Sequence, residues 1–323
     1  MTDRILDLSL QPVSLSTRGE LLVIRSGEDE LDAIPFEEIA AVVASHRQVT
    51  VTQAALSRMA QAGAMFISCD EKMMPASMLL PLAGHFSQTE RFLYQAALPV
   101  PRRKRYWQAI VQAKIRAQAL VLRERTGSDH GLRPLAGRVQ SGDGENLEAQ
   151  AARRYWPLVF GDPGFRRGDD EDPRNALLNY GYAIVRAATA RAICAAGLHP
   201  SFGLHHANKL NPFVLADDLM EPWRPAVDRV VASLGARSLS SDTKRSIIGA
   251  VTARYRVEAE SRTLFDALAR TAQSLAAAIQ AKRQDWRPLE WTPETAGTEI
   301  TDCVARREPG RATATATPEV ASA

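Results

Sequence analysis

A chain of 323 residues that is 45% hydrophobic and 24% charged can bury a sizeable core and has room for two domains. It has no apolar run of the roughly 18 residues needed to cross a membrane, and the N-terminus MTDRILDLSL is too polar for a signal peptide, so a cytoplasmic protein is expected. Cys69, Cys194 and Cys303 are odd in number and far apart, so no disulfide framework or zinc knuckle can be read from them.

The net charge of +3 is unevenly spread. Residues 1–85 hold 6 Lys/Arg against 11 Asp/Glu, whereas residues 100–167 hold 14 against 6. A basic middle segment of this kind suits a polyanionic partner.

The first 85 residues read as mostly strand. RILDLS (4–9) alternates, and residues 13–25 predict a hairpin turning at Arg18-Gly19. IAAVVAS (39–45) is a short apolar run. A strand, a short helix and a strand follow over 49–70, with Ala54, Leu56, Met59 and Ala60 at helical spacing and Gly63 ending the helix. MMPASMLLP (73–81) closes the region. From residue 86 helices take over. The first, 86–98, carries a capping-box pattern at Ser87 and Glu90. Further helices are predicted over 102–125, 146–160, 176–197, 219–235, 240–257 and 263–286. The last residues, 306–323, have almost no bulky apolar side chains and are expected to be disordered. The fold class is therefore α+β. A small N-terminal β-rich, sandwich-like domain (1–85) precedes a larger all-α catalytic domain (86–303) and a disordered tail (304–323).

Metal-loving groups crowd into GLHHANKLNPFVLADDLMEPWRP (203–225). His205 and His206 precede Asp217, Asp218 and Glu221. Asp218 and Glu221 stand three apart, so a helix would put them on one face. Either Asp217 or Asp218 also suits a helix first turn on dipole grounds alone, and Pro222 is tolerated there. Imidazole with carboxylates is a ligand set for a divalent cation. Oxygen donors favour Mg²⁺ or Mn²⁺, and each imidazole shifts the choice towards Mn²⁺. A third donor is Glu148, on a predicted helix among small alanines and followed by Arg153, Arg154, Tyr155 and Trp156. The plainer account of Glu148 is a solvated helical carboxylate.

Four segments, EAQAARRYW (148–156), NALLNYGY (175–182), GLHH (203–206) and LADDLMEPWRPAVD (215–228), occur in this order. Together they resemble the CRISPR-associated spacer integrase, the larger of the two core adaptation proteins, in its type II-like form. The resemblance runs from about residue 4 to about residue 290. It implies a β-sandwich-like domain followed by a helical one. It also implies that Glu148, His206 and Glu221 are the catalytic residues and ligate Mg²⁺ or Mn²⁺. The Gly-x-x-His spacing from Gly203 selects His206 over His205. Some members carry Asp where this chain has Glu221, so Asp218 is held as an auxiliary fourth ligand.

The implied activity is that of a metal-dependent DNA endonuclease and integrase. A prespacer 3′-hydroxyl attacks a repeat phosphodiester, with no covalent enzyme–DNA intermediate. Implied partners are double-stranded DNA, a second copy in a homodimer, and a small ferredoxin-like adaptation protein in a heterohexamer. No membrane is involved. Arg102, Arg103, Lys104, Arg105, Arg153, Arg154, Arg166 and Arg167 are expected to contact the DNA backbone, with Lys114, Arg116, Arg123 and Arg125 further along the 102–125 helix. Trp107, Tyr155 and Trp223 are expected in the core. Two alternatives are a non-catalytic DNA-binding scaffold and a metal-dependent nuclease without integration activity.

Overall fold

The computed structural model describes residues 4–294 other than Met73, residues 80–83 and Ala207. The tail 304–323 and Cys303 lie outside the described residues.

Strands β1 (Arg4–Leu8), β2 (Ser14–Arg18), β3 (Leu21–Ser26), β4 (Asp29–Pro35), β5 (Ile39–Ala44) and β6 (Thr50–Val51) precede helix α1 (Gln53–Gln61). Strands β7 (Met65–Cys69) and β8 (Pro75–Leu79) follow it. They pair into two sheets, in the orders β1-β5-β7-β8 and β4-β3-β2-β6. Gly19, at φ +60°, makes the turn between β2 and β3, where a side chain would be strained. Every residue of β5 is buried because its sheet is covered on both faces, which explains the unbroken apolar run IAAVVA. The two-residue period divides the load. Val42, Leu6 and Leu8 face the second sheet and pack with Leu15, Leu22, Ile24, Ile34 and Phe36. Ile5, Ala41, Val43, Met65 and Ile67 face the other way and join the core of the helices.

The helices are α2 (Gln88–Ala96), α3 (Val100–Thr126), α4 (Leu132–Arg138), α5 (Leu147–Phe160), α6 (Pro173–Ala195), α7 (Val214–Met220), α8 (Arg224–Leu234), α9 (Ser241–Thr252) and α10 (Leu264–Gln280). Helix α6 is central and packs against α7, α8, α9 and α10. Its Gly181 lets the last turns come close. A Cβ there would stand 2.4 Å from Val227 Cγ1 and 2.9 Å from Ile247 Cγ2. Gly181→Ala gains ~1 kcal/mol of helix propensity but overpacks a junction at a cost of ~1–3 kcal/mol. A net loss of stability is therefore expected in denaturant unfolding; a gain would show that α8 and α9 yield freely.

Several sequence expectations need revision. Ser87 does precede α2, but its hydroxyl makes no capping bond, because its ψ of 20° is not the extended value a cap requires. Glu90 instead accepts from the Tyr94 hydroxyl at 3.2 Å. The capping box sits on α9, between Ser240 and Thr243. The single helix expected over 219–235 is two helices, α7 and α8, joined by a 3-10 turn at Glu221–Trp223. Pro222 and Pro225 lack the N–H groups that a continuous helix would need there. The helix expected over 240–257 stops at Thr252. Arg254–Val257 is strand β9, which pairs with β10 (Glu260–Thr263) and β11 (Trp291–Pro293) in a small antiparallel sheet. The mostly helical part is therefore not all-α.

Candidate active site

Glu148 sits in the first turn of α5. Asp143 fixes that turn from outside: its Oδ1 accepts from Leu147 N at 2.9 Å and its Oδ2 from Glu148 N at 3.0 Å. A carboxylate on these otherwise orphaned N–H groups also suits the helix dipole. The Glu148 side chain is a quarter exposed.

The 203–206 loop is tied down by Asp218 of α7, which is completely buried. Asp218 Oδ2 accepts from Leu204 N at 2.6 Å and His205 N at 3.1 Å. Its Oδ1 accepts from His206 N at 3.3 Å and pairs with His206 Nδ1 at 2.5 Å. Gly203 is required by this closeness, since a Cβ would lie 2.6 Å from His206 O and 3.2 Å from Asp218 Oδ2. With Nδ1 given to the carboxylate, Nε2 of His206 points its lone pair or proton elsewhere, and among the described residues no hydrogen bond reaches it. The bond to Asp218 raises the His206 pKa, and the nearby charges of Glu221 and Glu148 add to this. His205 has a different task. Its ring stacks flat on the buried Trp107 of α3, with centroids 4.3 Å apart.

Glu221 opens the 3-10 turn and is nearly buried. Trp291 of β11 braces this turn by donating to Pro222 O at 2.8 Å. Lys114 of α3 holds the two glutamates together: its Nζ is 2.5 Å from Glu148 Oε1 and 2.5 Å from Glu221 Oε2. Arg224 Nε stands 3.0 Å from the other oxygen of Glu221. Burial alone would push the Glu221 pKa up, but Arg224 and Lys114 outweigh it and hold the carboxyl below its usual range. Burial would likewise lower Lys114, and Glu221 with Glu148 reverse that. Both partners are thus charged. Among the described residues no three His, Cys, Asp or Glu side chains are gathered tightly enough to hold a metal ion as they stand. What the fold does gather is two carboxylates on one ammonium, with a carboxylate-oriented imidazole beside them.

The sequence profile described as CRISPR associated protein Cas1 matches residues 8–247. A curated relative, the CRISPR-associated endonuclease Cas1 of Neisseria meningitidis serogroup C, is 41% identical over 67% of this chain and 71% of its own length. The chain belongs to the Cas1 family. A second relative, from Pyrobaculum aerophilum, is 30% identical over 80% of this Cas1-family chain and 93% of its own. Among solved structures, a casposase bound to integration product superposes with a TM-score of 0.72 at 18% identity, covering 88% of this chain and 92% of that one. A Cas1 protein from Thermotoga maritima superposes with a TM-score of 0.67 at 15% identity, covering 90% and 100%. At such identities the likeness is one of fold.

The basic residues of this Cas1-family chain sort into free and tied. Lys104 and Arg153 are exposed and, among the described residues, take part in no ion pair or side-chain hydrogen bond. Arg102 and Arg103 are half-buried. Arg105 reaches Gln284, Arg154 donates to His130 O at 3.1 Å, and Arg166 donates to its own loop at Pro163 and Phe165. Arg167 donates to Asn175 and Asn179 and covers the Tyr182 ring. Arg116 pairs with Glu290 and Arg125 with Val159 O. No membrane-crossing helix occurs among the described residues. Trp107, Tyr155 and Trp223 are core residues, as expected.

Close to the candidate site lies a group that the sequence does not announce. Asp228 of α8 is buried and accepts from Tyr155 of α5 at 3.1 Å and from Tyr182 of α6. Burial raises its pKa from the ordinary 3.8 to about 7, against the opposing pull of the two hydroxyls and Arg224. The folded state therefore binds this proton more tightly than the unfolded chain. Its contribution to stability is full at low pH, declines between roughly pH 4 and pH 7 at about 1.4 kcal/mol per unit, and is absent above. Asp228→Asn is expected to remove this slope. Denaturant unfolding from pH 5 to pH 8 measures it, and an unchanged slope contradicts the assignment.

Proposed function

We propose that this chain is a divalent-metal-dependent DNA endonuclease and integrase that inserts spacer DNA into a CRISPR array. The observation that carries the reading is the convergence of Glu148 and Glu221 on a single cation, with His206 held by Asp218 alongside. The donor set fits a divalent ion. Two carboxylates already share one cationic centre, and the imidazole Nε2 is uncommitted among the described residues. Glu148, His206 and Glu221 would hold Mg²⁺ or Mn²⁺. Asp218, whose oxygens are taken up by three backbone N–H groups and Nδ1, is then an orienting partner of His206 rather than a fourth ligand. The names of the relatives support a nuclease, and the likeness to a casposase bound to integration product supports DNA joining by the same fold.

In the proposed reaction the 3′-oxygen of a prespacer strand forms a bond to a repeat phosphorus as the bond from that phosphorus to its own 3′-oxygen breaks. The attacking hydroxyl loses its proton, and the leaving oxygen gains one. One phosphodiester replaces another, so no outside energy source is needed. A divalent ion held by Glu148, His206 and Glu221 would lower the pKa of the attacking hydroxyl and offset charge on the phosphoryl oxygens. Arg224 keeps Glu221 ionised, and Asp218 fixes the ring plane and tautomer of His206. Lys104 and Arg153, together with Arg102 and Arg103, supply backbone contacts that position the duplex without reading its sequence. Double-stranded DNA is thus the substrate, and the cytoplasm the place of action.

We extend the reading to assembly as a homodimer with a small ferredoxin-like adaptation partner in a heterohexamer. For a partner protein alone there is comparative support: a chain of a Cas6-RT-Cas1–Cas2 complex superposes with a TM-score of 0.68 at 20% identity, covering 88% of this chain and 35% of that one.

Prespacers ending in a 3′-hydroxyl should join to a repeat duplex in the presence of Mn²⁺, with inserted ends found on sequencing. Prespacers with 3′-deoxy ends should not. Cleavage of the repeat without any joined product favours the nuclease that lacks integration.

A further inference from the structure

We propose that Lys114 is a resident counter-ion of the active site, which occupies the point between Glu148 and Glu221 and must leave before a divalent cation can take it. The inference rests on the metal reading above and adds a residue to it.

Lys114 sits on a largely apolar face of α3. On α3 it follows Trp107, Ile110 and Val111 by seven, four and three positions, so it lies on the buried stripe of the helix. A lysine there requires a partner, because an unpaired ammonium is costly to desolvate. It has two, at 2.5 Å each, and they are the two glutamates that are the proposed ligands.

Charge balance then decides the consequence. Lys114 and Arg224 stand against the carboxylates of Glu148 and Glu221, and Asp218 is spent on orienting His206, which as a ligand is neutral. The Lys114 ammonium already fills the point between the two glutamates. Adding a divalent ion with both cations in place would crowd three cationic centres around a Glu221 side chain that is only 5% exposed and leave the cluster with a net positive charge. One cation has to move.

Arg224 is the less mobile of the two. It is held on Glu221 and packed over the Tyr182 ring, 4.8 Å from its centroid. Lys114 is a point charge on a flexible four-carbon stem. Its partner Glu148 is a quarter exposed and provides a way out. Once displaced, the ammonium remains tethered to α3 at the site, and a DNA phosphate is the partner that would satisfy it. Lys114 thereby keeps the ligands assembled in metal-free protein and weakens metal binding until DNA arrives.

Two measurements on the full chain test this, neither of them activity. The first needs no substitution. Reductive methylation of the metal-free protein, followed by mass spectrometry, should find Lys114 shielded relative to the exposed Lys104. Saturating Mg²⁺ should raise Lys114 labelling by about threefold or more, since a paired buried amine becomes a solvated one. Unchanged labelling in protein that binds the ion overturns the proposal. The second is Mn²⁺ affinity by electron paramagnetic resonance. Lys114→Met should bind Mn²⁺ at least about tenfold more tightly than wild type, and Lys114→Arg should not. Equal or weaker binding by Lys114→Met overturns the proposal. Glu221→Gln separates the two layers. If it leaves wild-type Mn²⁺ affinity unaltered, the metal reading fails together with this one. If it abolishes binding while Lys114→Met changes nothing, only the role of Lys114 fails.

Discussion

Glu148→Ala should reduce strand transfer by at least about a hundredfold while leaving duplex binding within a few-fold of wild type, the scale on which a single electrostatic contact to a transition state is lost. Glu148 is a quarter exposed, and its helix start is fixed by Asp143 rather than by its own side chain. The substitution therefore removes one proposed ligand without removing a support of the fold. Binding should persist because the proposed backbone contacts are distributed over Lys104, Arg153 and their neighbours. A gel shift and a strand-transfer assay on a branched duplex, run side by side, give the comparison. A scaffold that only binds DNA would join strands equally well with or without Glu148.

Asp218→Ala should have the second-largest effect, and a different one. It leaves Leu204 N, His205 N, His206 N and His206 Nδ1 without their acceptor. Losing one partner of a buried charged network costs roughly 3–5 kcal/mol, so the protein should melt earlier as well as lose activity. Asp218→Asn is the sharper probe. It keeps the volume but cannot accept from all four donors or orient the ring. A drop of about 10–100-fold in metal affinity, with binding still detectable, is the signature of an orienting partner. Complete loss of the ion would instead make Asp218 a ligand.

Much of the fold is legible in the sequence because the physics is local. The run IAAVVA stands out as a short apolar segment, which the structure places as a strand buried on both faces, and Gly19 and Gly63 mark turns that take positive φ. The missed elements are those whose pattern is short or ambiguous. RYRV and ESRT are four-residue strands with little apolar character, and RYRV continues a helical pattern from α9. Their role is visible only in three dimensions, where β11 braces Pro222 and so the turn that carries Glu221.

Part of the candidate site is legible in the sequence. The glycine three residues before His206 is fixed by close approach, since a Cβ at Gly203 would strike His206 O. In the sequence Lys114 is one more cation on a basic helix. Its position on the apolar stripe was the available signal that it needed a buried partner. Asp228 gave no such signal, because its tyrosine partners lie 73 and 46 residues away.

The most direct test of the whole account is anomalous diffraction from a crystal soaked in Mn²⁺. The account predicts a manganese peak among Glu148, His206 and Glu221, with Lys114 swung clear. A peak lying elsewhere, with the ammonium still between the two glutamates, would contradict it.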